Sequence, residues 1–208
     1  MNRLIHTLAL IALLLVAPLA RAELKVLACE PEWGALVKEL AGDKVSVYVA
    51  TTALQDPHRI EARPSLVAAA RNAGLVVCTG AELEVGWLPL LIRQSGNSAI
   101  QPGKPGHFEA AAYVRMLDVP QRLDRADGDV HAAGNPHIQT DPRNITLVAE
   151  PLARRLAELD PANAATYQAR SADFQARWKA AIQRWEQSAA PLRGVPVVVL
   201  HKAFPYLQ

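Results

Sequence analysis

The stretch LKVLACEPEWGALVKELAGDKVSVYVAT, residues 24–51, decides the fold because its hydrophobic period changes twice. LKVLAC and KVSVYVAT are short apolar or β-branched runs, which are typical of strands. Between them Trp33, Leu36, Val37 and Leu40 recur at helical spacing, and a glycine ends the pattern. A strand, a helix and a second strand in this order predict a parallel α/β unit.

The same alternation continues toward the middle of the chain. SLVAAARNAG (65–74) predicts a helix, and GLVVCTG (74–80) has the near-continuous apolar character of a strand covered on both faces. ELEVGWLPLLIRQSG (82–96) predicts another helix. Residues 101–143 are rich in glycine, proline, aspartate and histidine and predict mostly surface loop. The fold class is therefore α/β, with a parallel-sheet lobe at 23–160.

A long helix is predicted after this lobe, at residues 161–190. At about 1.5 Å per residue it would be roughly 40 Å long, which is enough to run the height of a domain. VPVVVLH (195–201) then predicts a buried-type strand. Residues 194–208 are expected to begin a second α/β lobe of which only this first strand is present.

Residues 1–22 have the pattern of a secretory signal peptide. Arg3 precedes an apolar run, Leu8–Val16, which is too short to cross a bilayer, and Ala20-Arg21-Ala22 resembles a cleavage site. No cysteine stands at that point, so a soluble periplasmic product is expected rather than a lipid-anchored one. Removal of the leader leaves 20 of the 22 basic residues against 20 acidic ones, which indicates no nucleic-acid partner.

The two cysteines, Cys29 and Cys78, each close an apolar run predicted to be a strand. If the strands are parallel neighbours in an oxidising compartment, the thiols can lie together. A disulfide and two free thiols both remain open at this point. Their spacing matches no zinc-thiolate motif, so they are not counted as ligands.

Three histidines share a setting that suits a metal site. His58, His137 and His201 each lie in a loop or at the carboxyl end of a predicted strand, where open α/β sheets place their ligands. The first two follow a proline, in DPH and NPH, which stiffens the backbone. Three neutral imidazoles can bind zinc and leave a fourth position open. Asp56 or Glu61 could accept the second ring N–H of a ligating histidine.

The remaining histidines of the chain after the leader receive weaker assignments. His131 lies six residues before His137 and is predicted to be an auxiliary residue at the mouth of the site. His107, in PGKPGHFE, is predicted to be a solvated loop histidine. The four tryptophans are expected to belong to the core: Trp33, Trp87, Trp178 and Trp185.

Three ordered motifs resemble one known family. They are LQDPHRIEARPS with the following AGLVVCTGAELEVGWL, then GNPHIQTDPRN, and finally VVVLHKAFPYL. In this order they resemble the zinc/manganese solute-binding proteins of bacterial ABC importers, the ZnuA and TroA-like group. The resemblance extends from about Val26 to Gln208. It implies two α/β lobes joined by one long helix, with a metal ion held between them.

The resemblance also implies a ligand set. His58 and His137 would be ligands from the first lobe, and His201 would be the first ligand from the second. A histidine at the third position goes with the zinc members of the family, whereas manganese members usually carry glutamate. Where the family commonly has tryptophan two residues after the second ligand, this chain has Gln139. The family's fourth ligand, often an aspartate, lies in the second lobe.

The expected function is capture of zinc in the periplasm and its delivery to a membrane permease. The expected partners are the divalent ion and the permease, the protein is expected to be a monomer, and no enzymatic activity is expected. Manganese or iron in the same role is the alternative metal. A secreted zinc hydrolase is the alternative class, although the sequence has no HExxH helix and offers only Glu61 as a general base. Because His201 follows an unsupported strand, binding is expected to rest mainly on His58 and His137.

Overall fold

A computed structural model of the chain describes residues 23–122, 131–199 and 201–207; the predicted leader lies outside these residues. The described part contains one four-stranded sheet in the order β2-β1-β3-β4, and all of its strand pairs are parallel. The strands are β1 (Leu24–Ala28), β2 (Val45–Val49), β3 (Leu75–Cys78) and β4 (His107–Glu109). The α/β class and the parallel sheet are confirmed.

Five α-helices accompany the sheet in the described residues. They are α1 (Pro31–Ala41), α2 (Pro64–Asn72), α3 (Leu88–Ser95), α4 (Pro142–Leu159) and α5 (Ala164–Ala189). The first four begin with a proline in their first turn, where the missing N–H costs no helical hydrogen bond. Of these helices, none combines the length and the apolar character that a membrane crossing requires.

The helices form layers on both faces of the sheet because side chains alternate along each strand. Val26 of β1 packs in one buried cluster with residues of α1, α4 and α5. The adjacent Leu27 packs in a second cluster with residues of α2 and α3. Both faces of β1 and β3 are therefore covered, as the apolar sequence of β3 predicted.

Two local predictions in the first lobe were wrong. Residues 82–87 form turns rather than the start of a helix, and α3 begins at Leu88. The reason is Glu84, whose carboxylate accepts hydrogen bonds from the backbone N–H groups of Thr79 and Gly80 and so folds the chain back after β3. The second error is β4, a strand inside a segment expected to be loop, which pairs with the free edge of β3.

The long helix is confirmed as α5, whose 26 residues correspond to about 39 Å. Its first half packs on the lobe through Tyr167 and Phe174, which are buried. Trp185, expected in the core, is 46% exposed, and its ring packs edge-on against that of Trp178. The segment 195–199 forms no strand, since no described strand lies beside it to pair with it.

Cys29 and Cys78 form a disulfide, which resolves the alternative that the sequence left open. The two residues end neighbouring parallel strands, and their Cα atoms are 4.8 Å apart. Both side chains are completely buried in the cluster that α2 and α3 cover. The bond therefore links β1 to β3 inside the core, near the carboxyl end of the sheet.

Candidate metal centre

The loop that carries His58 follows β2 and is held by contacts to the rest of the lobe. The indole Nε1 of Trp87 donates a hydrogen bond to the carbonyl of Pro57, at 2.8 Å. Gly86 lies so close to this loop that an added Cβ would stand 2.9 Å from the carbonyl oxygen of His58. Ile60 is buried in the core two residues later. These contacts fix the backbone from which the His58 side chain projects.

The side chain of Asn135 holds the loop that carries His137. The side-chain oxygen of Asn135 accepts a hydrogen bond from the His137 N–H at 3.0 Å, across Pro136. The carbonyl of His137 accepts one from the hydroxyl of Thr140 at 2.8 Å. His137 therefore has a rigid backbone at the entry to a short 3-10 turn, and its side chain is 8% exposed.

The structure brings His58, His137 and His201 together. One ligand nitrogen from each lies within 4.8 Å of the others. The Nε2 atoms of His137 and His201 are 3.0 Å apart. Two nitrogens on a tetrahedral zinc, with bonds of 2.0 to 2.1 Å, are separated by about 3.3 Å. We call these three residues the histidine cluster, and its spacing can accommodate a single small cation after minor adjustment.

His131 lies beside the histidine cluster. Its Nε2 atom is 3.3 Å from that of His58, and the two rings stack with centroids 5.3 Å apart. The neighbouring backbone is held from the lobe, because the Glu82 carboxylate accepts a hydrogen bond from the Ala132 N–H at 2.6 Å. His131 thus occupies the place expected of an auxiliary residue, although its role in binding stays a prediction.

Asp56 and Glu61 were both candidates to orient a ligating histidine, and the structure separates them. The carboxylate of Asp56 lies 2.8 Å from Nδ1 of His58 and also accepts the His58 backbone N–H at 3.0 Å. A carboxylate acceptor places the ring proton on Nδ1, which leaves Nε2 with its lone pair directed toward the cluster. Glu61 is exposed and is not part of the group of clustered ligand atoms.

Burial and the neighbouring imidazoles lower the pKa of His137 to about 4. Burial is the larger cause, and repulsion from the other histidines of the site, His201 first, adds to it. His137 is therefore neutral at physiological pH. A neutral imidazole is the form that binds a metal ion, so this residue needs to lose no proton on binding.

The segment that carries His201 is better supported than the sequence predicted. The Lys202 carbonyl accepts a hydrogen bond from the Asn135 side-chain amide at 2.7 Å. The Lys202 ammonium pairs with Asp118 at 3.0 Å. Tyr206 is buried against the first lobe. The segment before His201 is exposed and unpaired, as expected, but contacts after the histidine anchor it to the first lobe.

His107 is the residue whose setting was mispredicted most clearly. It lies in β4 with its side chain 7% exposed. Its Nδ1 lies 2.9 Å from the Ile100 carbonyl and its Nε2 lies 3.2 Å from the Glu109 carboxylate. The hydrogen bond to Glu109 is the main cause that raises the pKa of His107. Both ring nitrogens of His107 face acceptors within the first lobe, so the residue is not positioned as a metal ligand.

Sequence reasoning missed a buried polar group at the carboxyl ends of β1 and β3. Glu30 and Glu84 are both almost fully buried. The Thr79 hydroxyl donates to Glu30 at 3.2 Å and accepts from the Trp33 indole at 2.8 Å. Burial raises the pKa of Glu84 to about 7 and also raises that of Glu30, where the Glu84 charge adds to it. Glu30 directly follows the first apolar run, whereas Glu84 lies six residues beyond β3, so no local pattern links the two.

The described architecture and the histidine cluster define a class of protein. A parallel α/β lobe holds three imidazoles together in loops outside the strands, the usual position of ligand sites in open α/β sheets. Nitrogen ligands of this kind suit zinc and the neighbouring transition metals. The class is thus an α/β protein with a candidate site for a divalent metal ion.

The family of the zinc-uptake complex component A, ZnuA, matches residues 26–208, and the chain belongs to this family. The high-affinity zinc uptake protein ZnuA of Paracoccus denitrificans is 27% identical over 90% of this chain and 64% of its own length. A metal ABC transporter substrate-binding lipoprotein, ScbA of Streptococcus cristatus, is 27% identical over 71% of this chain and 45% of its own.

A solved structure of a relative has a similar fold. A ZnuA deletion mutant crystallised with zinc superposes with a TM-score of 0.72 and is 28% identical, covering 88% of this chain and 65% of that chain. The chain therefore spans about half to two thirds of the length of these relatives.

Proposed function

We propose that this chain captures zinc outside the cytoplasm, as the metal-binding component of an ABC importer, and passes the ion to a membrane permease. The observation that carries the proposal is the histidine cluster, whose ligand atoms lie within 4.8 Å of one another. Family membership supports it, since the relatives are named as transport binding proteins rather than enzymes. No chemical bond of a substrate changes in this function.

The assignment of residues follows the same proposal. His58, His137 and His201 bind the ion, Asp56 orients His58, and His131 is auxiliary. Residues 23–160 are the metal-binding lobe, 161–190 the linking helix and 194–208 the start of a second lobe. Residues 1–22 direct export and are removed.

Zinc is proposed over the other divalent metals because the clustered ligand atoms are all imidazole nitrogens. Manganese favours carboxylate and carbonyl oxygens, and the nearby Asp56 carboxylate is already used by His58. Relatives named for manganese and for iron keep both as alternatives. Competition between zinc and manganese at equal concentration would decide, and preferential retention of manganese would refute the zinc assignment.

The test is a zinc titration of the purified protein in competition with a chelating dye. We expect one zinc per chain in the parent, and a loss of that binding in His58→Ala and in His137→Ala. His107→Ala is the matched control, since it also removes a partly buried imidazole but one that faces two acceptors. Equal zinc binding by all four proteins would refute the proposed site. Turnover of ester or peptide substrates by the zinc-loaded protein would instead support a hydrolase.

A further inference from the structure

Residues 201–207 return to the first lobe after an exposed segment. Val198 in that segment is 98% exposed, whereas Tyr206 is only 8% exposed and belongs to the core cluster of the lobe. The Tyr206 hydroxyl donates a hydrogen bond to the Asn135 carbonyl at 2.7 Å and accepts one from the Leu117 N–H at 3.0 Å. One side chain thus ties the end of the described chain to two backbone positions of the lobe.

The Asn135 side chain makes a second tie at the same place. Its oxygen accepts from the His137 N–H at 3.0 Å, and its NH₂ group donates to the Lys202 carbonyl at 2.7 Å. The Asn135 amide therefore contacts the backbone of His137 and the backbone of Lys202, the residue after His201. We call Asn135 and Tyr206, with these four hydrogen bonds, the Asn135–Tyr206 bridge.

We propose that the Asn135–Tyr206 bridge consists of positioning residues that hold His201 against His137 before any metal ion arrives. The inference rests on the proposed function and deepens it, because it says how a ligand on an otherwise exposed segment is kept in place. Neither residue is proposed to touch the metal. Their effect on binding comes from a smaller loss of chain entropy when the ion is bound.

The chemistry of the bridge requires these side chains. A phenol hydroxyl can donate and accept at once, so Tyr206 satisfies both a carbonyl and an N–H, and phenylalanine could satisfy neither. The groups are neutral and none is a metal ligand. The bridge can therefore exist in the metal-free and the metal-bound protein, which is what positioning in advance requires.

The first experiment measures zinc affinity of Tyr206→Phe by dye competition. Removal of a group that orients a ligand typically weakens metal binding about 10- to 100-fold, and we expect a loss in that range. Tyr167→Phe is the matched control, because its buried hydroxyl donates to Asp160 at 2.6 Å, in a contact that involves none of the site histidines. It should lower the stability of the fold and leave zinc affinity unchanged. Equal affinity losses in the two variants would overturn the proposal.

A double-mutant cycle separates positioning from a general structural role. In a His201→Ala background, Tyr206→Phe should cause no further loss of zinc affinity, because the ligand that it positions is gone. An equal loss with and without His201 would show that Tyr206 acts on the whole lobe, and would overturn the proposal. Asn135→Ala should weaken zinc binding with and without His201, because its side chain also holds the His137 backbone.

Hydrogen exchange in the metal-free protein tests whether residues 201–207 are docked, without any measurement of zinc binding. The N–H groups of Ala203 and Leu207 donate hydrogen bonds inside the docked segment, so their hydrogen exchange reports docking. In chelator we expect slow exchange in the parent and in His201→Ala, and fast exchange in Tyr206→Phe. Fast exchange in the parent would overturn the bridge. Slow exchange in a parent that binds no zinc would refute the proposed function and leave the docking by Tyr206 supported.

Discussion

Replacement of Asp56 tests how His58 is prepared for a metal ion. Its carboxylate contacts both the ring Nδ1 and the backbone N–H of His58, at 2.8 and 3.0 Å. Asp56→Ala removes both contacts, whereas Asp56→Asn keeps an acceptor oxygen and removes only the charge. Loss of such an orienting partner costs about 10- to 100-fold in metal affinity. Because the Asp56 side chain is 53% exposed, solvent screens its charge, and we expect about 10-fold for alanine.

The asparagine variant should therefore bind zinc more tightly than the alanine variant and less tightly than the parent. A 10-fold loss corresponds to about 1.4 kcal/mol of binding free energy, which dye competition resolves readily. Asp43→Ala is the control. Asp43 is highly exposed and lies before β2, whereas Asp56 lies in the loop after β2. If Asp56→Ala bound zinc as tightly as Asp43→Ala, the idea that Asp56 fixes the tautomer of His58 would be wrong.

Two further predictions concern stability. The disulfide closes a sequence separation of 49 residues. Replacement of Cys29 and Cys78 by alanine should therefore lower the free energy of unfolding by about 4 kcal/mol. Urea denaturation with and without a thiol reductant measures this loss. An unchanged midpoint would contradict this. Because His137 has a folded pKa of about 4 against an ordinary value of 6.5, the metal-free protein should lose stability as the pH falls from 6.5 toward 4, by up to about 3 kcal/mol. Urea unfolding in chelator at several pH values should show this loss, and His137→Gln should reduce it.

The elements that local pattern determines were predictable from the sequence. Strands β1, β2 and β3 are β-branched or continuously apolar runs, and α1 presents Trp33 and Leu40 on one face at helical spacing. Strand β4 was not predictable, because His107–Glu109 lies among glycines and prolines and has no alternation long enough to read. It forms because β3 offers it a free edge, which is a property of the assembled sheet.

In the candidate site, too, the residues marked by a local pattern were predictable from the sequence. His58 and His137 are marked locally by the preceding proline and by the Asp or Asn before it, and the structure places their rings with centroids 5.7 Å apart. Tyr206 carried no such signal, since its hydroxyl bonds a carbonyl 71 residues away. The Glu30–Glu84 group was missed for the same reason, because only the pairing of β1 with β3 brings these carboxyl groups together.

In the candidate metal site, the histidines that would bind the ion and the residues that position them have different tasks. The histidines supply imidazole nitrogens, and His137 stays neutral because burial and its neighbours oppose its protonation. The imidazoles offer one another only short Nε2–Nε2 contacts before the ion arrives, and protonation of one ring would repel its neighbours. Other residues must therefore hold the rings together in the metal-free protein. Trp87, Asp56, Asn135 and Tyr206 provide hydrogen bonds that are independent of the ion. It follows that a substitution at these supports should weaken metal binding although none of them is a ligand.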